Sequence, residues 1–149
     1  MATDIIFHRF WVDLDSILGC FLVLKYGEGQ SDTVYRNNGP SGTNCKHLGQ
    51  DLGGNTKKNT YITTHIYPGA GKYTVFMQDQ NRNAGVKNIP NSDNVWFYIE
   101  SEIVIDLNSG GNSAPRLQNP PIDNGCVNQV FLHNPGAVDP DGDSLVYSL

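Results

Sequence analysis

Thr64-His65-Ile66-Tyr67-Pro68-Gly69-Ala70-Gly71-Lys72-Tyr73-Thr74-Val75 is the segment from which the architecture of this chain is read. Two runs rich in Thr, Ile, Tyr and Val flank a Pro-Gly-Ala-Gly turn, the pattern of a β-hairpin. Pro68 fixes φ at the turn entry, and Gly69 and Gly71 admit positive φ. Beyond the turn, Tyr73 and Val75 share one face because side chains alternate along a strand. Upstream, Leu24-Lys25-Tyr26-Gly27-Glu28-Gly29 ends another strand in a second glycine turn.

Outward from this hairpin, apolar and β-branched runs recur between turn signals. Strands are expected at Ile5–Val12, Ile17–Tyr26, Thr33–Arg36, Thr60–Tyr67, Lys72–Gln78 and Val95–Asp106. The stretch from Asn37 to Asn59 is polar and rich in Gly and Asn, with one helical turn expected at His47–Leu52. The connection Asp79–Asn94 is again Asn-rich. No segment sustains helical periodicity with caps at both ends. Charged residues make up 17% of the 149, below the roughly 25% of an average globular chain. Sixteen Gly and eight Pro supply the turns instead. The expectation is an all-β chain built as a β-sandwich.

Asn108-Ser-Gly-Gly-Asn-Ser-Ala-Pro115 has linker composition and divides the chain. Residues 1–107 are expected to form the sandwich, 108–115 the linker, and 116–149 the N-terminal part of a second β-domain. Within that last part, Gln129–His133 and Ser144–Leu149 read as strands. Thirty-odd residues are too few to bury a core of their own, so the rest of that domain is expected beyond Leu149.

Charge narrows the partners. A formal net charge of -5 with scattered basic residues argues against binding a nucleic-acid backbone. No apolar run approaches the roughly 20 residues that span a bilayer, so no membrane insertion is expected. Met1–Phe10 carries Asp4, His8 and Arg9 where a signal peptide would carry a basic and then an apolar region. The chain is therefore either cytosolic or lacks the N-terminus of its parent protein, and the second reading is preferred. Cys20, Cys45 and Cys126 lack the C-x-x-C spacing of a zinc site. They form either one disulfide plus a free thiol or three buried thiols, and spacing does not choose.

The strongest chemical signal is Asp139-Pro-Asp-Gly-Asp143. Three carboxylates at alternate positions on a Pro/Gly turn suit a hard cation such as calcium, which takes six to eight oxygen ligands. An EF-hand is excluded, because counting from Asp139 puts Gly142 at position 4 and Ser144 at position 6. The competing reading is a solvated Asp/Gly turn whose side chains bond their own backbone. The histidines His8, His47, His65 and His133 lie in separate segments, and His65 is expected to pack or hydrogen-bond at a strand end. Glu100 and Glu102 share one face of a strand, as exposed charges do, and no nucleophile elbow, phosphate loop or His-Glu-x-x-His helix is present. No enzyme is expected. Trp11 and Trp96 sit in apolar strands and are expected in the core.

The Tyr26-Gly-Glu-Gly turn and the His65…Pro68-Gly69…Tyr73-Thr-Val75 stretch together resemble the PKD domain, an immunoglobulin-like sandwich of cell-surface proteins. Here Glu28 stands where that family carries Asp, and the loop between the two motifs is longer. Asn37-Asn-Gly-Pro-Ser-Gly, His47-Leu-Gly-Gln-Asp, Asp79-Gln-Asn-Arg-Asn-Ala-Gly-Val, Asn88-Ile-Pro-Asn-Ser, Phe97-Tyr-Ile-Glu and Asn119-Pro-Pro-Ile-Asp look like segments of large secreted Bacteroidota proteins. Such proteins are often labelled gliding-motility-associated or PKD-containing, and many carry a C-terminal type IX secretion signal. The turn after His133-Asn-Pro-Gly-Ala resembles the start of a cadherin-like domain. In such repeats a linker Asn before Ala-Pro contributes to calcium, which assigns Asp139, Asp141, Asp143 and Asn112 as ligands, with Asp106 and Asn108 as weaker candidates. Because the remaining ligands of the second domain would lie further on, this stretch alone is expected to bind calcium weakly or not at all. The resemblance implies an extracellular or cell-surface module. It would act as a non-catalytic spacer or adhesion unit whose partners are the neighbouring domains of the parent protein and surface glycans or proteins. The alternative is a glycan-binding accessory module of a secreted enzyme.

Overall fold

The computed structural model describes residues 2–12 (backbone only), 19–42, 45–53, 56–80, 82, 84–106, 113–120 and 126–148. The chain divides into two compact units, Met1–Leu107 and Asn108–Leu149.

The first unit is all-β and antiparallel. Its strands are β1 (Ala2–Val12), β2 (Phe21–Lys25), β3 (Ser31–Tyr35), β4 (Gln50–Gly53), β5 (Thr56–Ile66), β6 (Gly71–Asp79) and β7 (Phe97–Ile105). They pair as a three-stranded sheet, β1-β5-β4, and a four-stranded sheet, β3-β2-β6-β7. The two sheets form a β-sandwich around one core. Leu22 and Leu24 from β2, Val34 from β3, and Val75 and Met77 from β6 meet Tyr61 of β5, with Tyr26, Tyr67 and Ile105 closing the cluster. Strict alternation on β2, where Leu22 and Leu24 are buried and Phe21, Val23 and Lys25 exposed, is the sequence property that fixes its register. The hairpin predicted at residues 64–75 is the β5–β6 connection, and Tyr73 and Val75 do share the core-facing side.

Three local expectations change. His47–Leu52 is not helical: His47 bridges Ser41, and β4 begins at Gln50. The physical reason lies at Gly49, whose φ of +81° is left-handed, and at the His47 carbonyl, which accepts Arg36 Nε at 2.6 Å. β5 starts at Thr56, four residues before the apolar run, because this central strand has β1 on one side and β4 on the other to satisfy its backbone. Trp96 is 53% exposed. Phe97 takes the position packed on the core, and alternation then turns its neighbour outward. The side chain of Trp11 lies outside the described residues.

The second unit has one short antiparallel pair among its described residues, β8 (Arg116–Leu117) with β9 (Ala137–Val138). Neither Gln129–His133 nor the described part of Ser144–Leu149 is strand. Val130 is 90% and Val146 92% exposed, so the period-2 pattern there has no surface to bury against, and pattern without burial does not make a sheet.

Cys20 and Cys45 form a disulfide across 25 residues, and Cys126 is an exposed free thiol. The bridge closes the loop that holds β2 and β3, and such closure contributes about 2–4 kcal/mol. Replacing both Cys20 and Cys45 by Ser is expected to lower the melting temperature by roughly 10 °C or more, the same drop that reductant causes in the parent chain. Equal melting of the two proteins, oxidised and reduced, would show the bridge to be idle.

Candidate functional site

The acidic turn lies in the second unit and is bonded to itself. Asp139 Oδ1 accepts the backbone N–H of Asp141 at 2.8 Å and of Asp143 at 3.3 Å, and the Gly142 N–H reaches the Asp139 carbonyl at 3.3 Å. Gly142 has φ +82°, which lets the chain turn within these few residues. Asp141 Oδ2 accepts the Ser113 N–H at 2.5 Å and so ties the turn to the residue next to the linker Asn. Asn112 and Asn108 lie outside the described residues, and Asp106 closes the first unit after β7. Among the described residues, no three His, Cys, Asp or Glu side chains gather as metal ligands. What the turn offers a cation is a preformed backbone carrying three carboxylates on about one turn of chain.

Among the described residues of the first unit, titratable side chains gather around His65. The imidazole is buried, stacks on Tyr26 at 3.8 Å and meets the edge of Tyr67 at 4.7 Å. Its Nε2 pairs with Glu28 Oε1 at 2.5 Å, so the glutamate of the glycine turn is what the strand-end histidine bonds. Gly27 makes this possible. With φ +77°, a Cβ at this position would stand 2.8 Å from the Thr74 carbonyl of β6, so only glycine lets the turn reach over the sheet. Tyr73 continues the aromatic row, 4.3 Å from Tyr67, and its hydroxyl donates to the Gly69 carbonyl. The row is a packed structural cluster. Burial, and after it the Glu28 carboxylate, Tyr26 and Tyr73, push the Tyr67 hydroxyl up to about 12.

The carboxylates that sequence reading weighed for hydrolysis are exposed surface charges. Glu102 pairs with Lys72 at 2.6 Å and Glu100 accepts the Tyr98 hydroxyl at 2.5 Å. That second bond is the first cause of the raised Tyr98 pKa. They lie on the outer face of the four-stranded sheet, which sequence reading missed as a unit. Phe21, Tyr35, Trp96 and Tyr98 are all about half exposed there. The signal that could have found them was the alternation itself: Phe21, Tyr35 and Tyr98 occupy strand positions out of phase with the core residues Leu22, Val34 and Phe97.

Tyr67 yields a pH dependence whose sign is fixed. Between pH 10 and about 12 an unfolded tyrosine has lost its proton while the native one keeps it. The unfolded state then binds fewer protons, so stability is full below pH 10 and falls as pH rises towards 12. The melting temperature is expected to drop over this interval, and Tyr67→Phe to flatten the drop. An identical alkaline profile for Tyr67→Phe would remove Tyr67 as its cause. Comparison with protein-family models, with curated proteins and with solved structures finds no match to this chain.

Proposed function

We propose that this chain is a non-catalytic module of an exported surface protein, an immunoglobulin-like sandwich that spaces or displays neighbouring domains. The observation that carries the reading is the Cys20–Cys45 bridge in a sandwich whose described pairings join consecutive strands except at β1–β5 and β2–β6. Disulfides form and persist in oxidising surroundings such as the periplasm and the cell exterior. A bridged sandwich resists pulling and proteolysis, which is the mechanical task of a spacer. The charged residues support the same reading, because those around the core make structural bonds: Arg36 to Asn59 and His65 to Glu28.

Calcium belongs to this reading as an accessory of the second unit. Asp139, Asp141 and Asp143 offer at most a partial coordination shell, and sites of few ligands bind at roughly 10⁻⁴–10⁻³ M. A second reading, a glycan-binding accessory module of a secreted enzyme, gains from the exposure of Trp96, since an aromatic in the core could not stack on a sugar.

Antibody raised against the folded chain is expected to label intact cells of the source organism, and external protease to remove the signal. Labelling that appears only after lysis would overturn the surface assignment. For the metal, calcium is expected to raise the melting temperature only in the millimolar range, reversibly with chelator, and Asp141→Ala to abolish the rise. A flat response in both proteins would dispose of the calcium site.

A further inference from the structure

We propose that the outer face of the four-stranded sheet is a binding platform for a neutral polysaccharide, an inference that rests on the second reading above. Register places the parts. Phe21 and Tyr35 are direct cross-strand partners on β2 and β3, with ring centroids 6.0 Å apart. On the other half of the face, Phe76 of β6 and Tyr98 of β7 lie 5.7 Å apart, and Gln78 is the partner of Tyr98. Trp96, one residue before β7, is half exposed, and alternation back from the core-packed Phe97 assigns it to the same face. Five aromatic rings and a central amide therefore belong to one pleated sheet face. Rings provide faces for the axial C–H groups of pyranoses, and Gln78 provides a donor and an acceptor for hydroxyls.

Charge and size select the occupant. The charged side chains on this face are Lys25, Lys72, Glu100 and Glu102, two of each sign. Lys25 Nζ sits over the Phe76 ring at 5.3 Å, Lys72 pairs with Glu102, and Glu100 holds the Tyr98 hydroxyl. The face has no net charge and each ion already has a neighbour, so an ionic ligand or a charged protein patch gains nothing from it. Four strands about 4.8 Å apart, two of five residues and two of nine, give a platform about 15 Å wide and about 17 to 30 Å long. That is about half of the roughly 800 Å² per partner that a stable protein interface buries. A second copy of the chain would need further surface outside this face to form a stable contact. A narrow, uncharged glycan chain is matched to this face.

The test is affinity electrophoresis of the full 149-residue chain in native gels containing hydroxyethylcellulose, arabinoxylan or laminarin, with pull-down on chitin and microcrystalline cellulose. At least one of these probes is expected to retain the protein, with retention unchanged by added salt. Tyr98→Ala and Trp96→Ala are each expected to weaken retention by about tenfold or more, while Tyr98→Phe keeps most of it. Ile66→Ala, exposed on the other sheet, serves as the unaffected control. Melting curves of each variant report that the fold is intact. No retention by any probe would overturn the platform together with the glycan reading. Retention that survives both alanine variants would overturn the platform alone. A concentration-dependent dimer that Tyr98→Ala dissolves would assign the face to a second copy instead.

Discussion

β5 turns a row of polar-tipped side chains into the sandwich, and the rest of the first unit is arranged to satisfy them. Asn59, Tyr61 and His65 all face inward and are buried, with Tyr67 following at the strand end. A buried polar group left without a partner costs on the order of 1–3 kcal/mol, so each tip dictates what must come to it. Asn59 Oδ1 accepts Arg36 Nη1 at 2.9 Å, the Tyr61 hydroxyl donates to the Gly19 carbonyl, and His65 pairs with Glu28. All three partners come from outside the regular part of their strands: the turn before β2, the β2–β3 turn and the residue after β3. The loops of the four-stranded sheet are thus positioned by the opposite sheet.

Arg36 shows how far this reaches. Its side chain is only 5% exposed, and burial lowers its pKa, yet its two bonds are to neutral acceptors, Asn59 Oδ1 and the His47 carbonyl. The second of these anchors the long loop after β3. The side chain of Asn38 then plays the part of a strand backbone, donating to the Lys58 carbonyl at 2.8 Å and accepting from the Thr60 N–H at 2.7 Å. Gly39, at φ +83°, lies so close to Gly49 that a Cβ would fall 1.9 Å from the Gly49 carbonyl oxygen. A stretch with no hydrophobic periodicity is therefore held by side-chain bonds and by the Cys20–Cys45 bridge at its flank. The described residues of this loop are held by these bonds rather than by regular secondary structure.

This division explains what could be read from the residues alone. Strands with alternating aliphatics, such as β2 and β6, and the Pro68-Gly69 hairpin declared themselves, because turn chemistry and period-2 burial are local properties. His65 at a strand end, bonded and packed, followed from the same hairpin. β4 did not declare itself. Gln50–Gly53 has no apolar face and pairs only because β5 has a free edge beside it. Nor could the partner of Cys20 be chosen, since Cys45 approaches it only after the Arg36 and Asn38 bonds have folded the intervening chain. Trp96 misled for a related reason: hydrophobicity named it a core residue, while its phase relative to Phe97 put it outside. In the acidic turn, residue type announced that side chains could bond their own backbone, and Asp139 Oδ1 does so with the N–H groups of Asp141 and Asp143.

The two faces of the four-stranded sheet carry separable demands. Inward, Leu22, Leu24, Val75 and Met77 meet β5, and changes there act on the whole sandwich through packing and through the polar tips they surround. Outward, Phe21, Tyr35, Phe76 and Tyr98 touch one another in pairs and support nothing beneath them that alternation does not already hold. Half-exposed aromatics on a sheet face forgo much of the burial available in the core, and their cross-strand pairs contribute only about 0.2–1 kcal/mol each. A sheet whose stability is secured on one side can vary the other side with small effect on folding. The buried His65 cluster is closed by its own packing and bonds, whereas the aromatics on the outer side leave faces open to solvent, and it is this difference that the proposed glycan platform rests on.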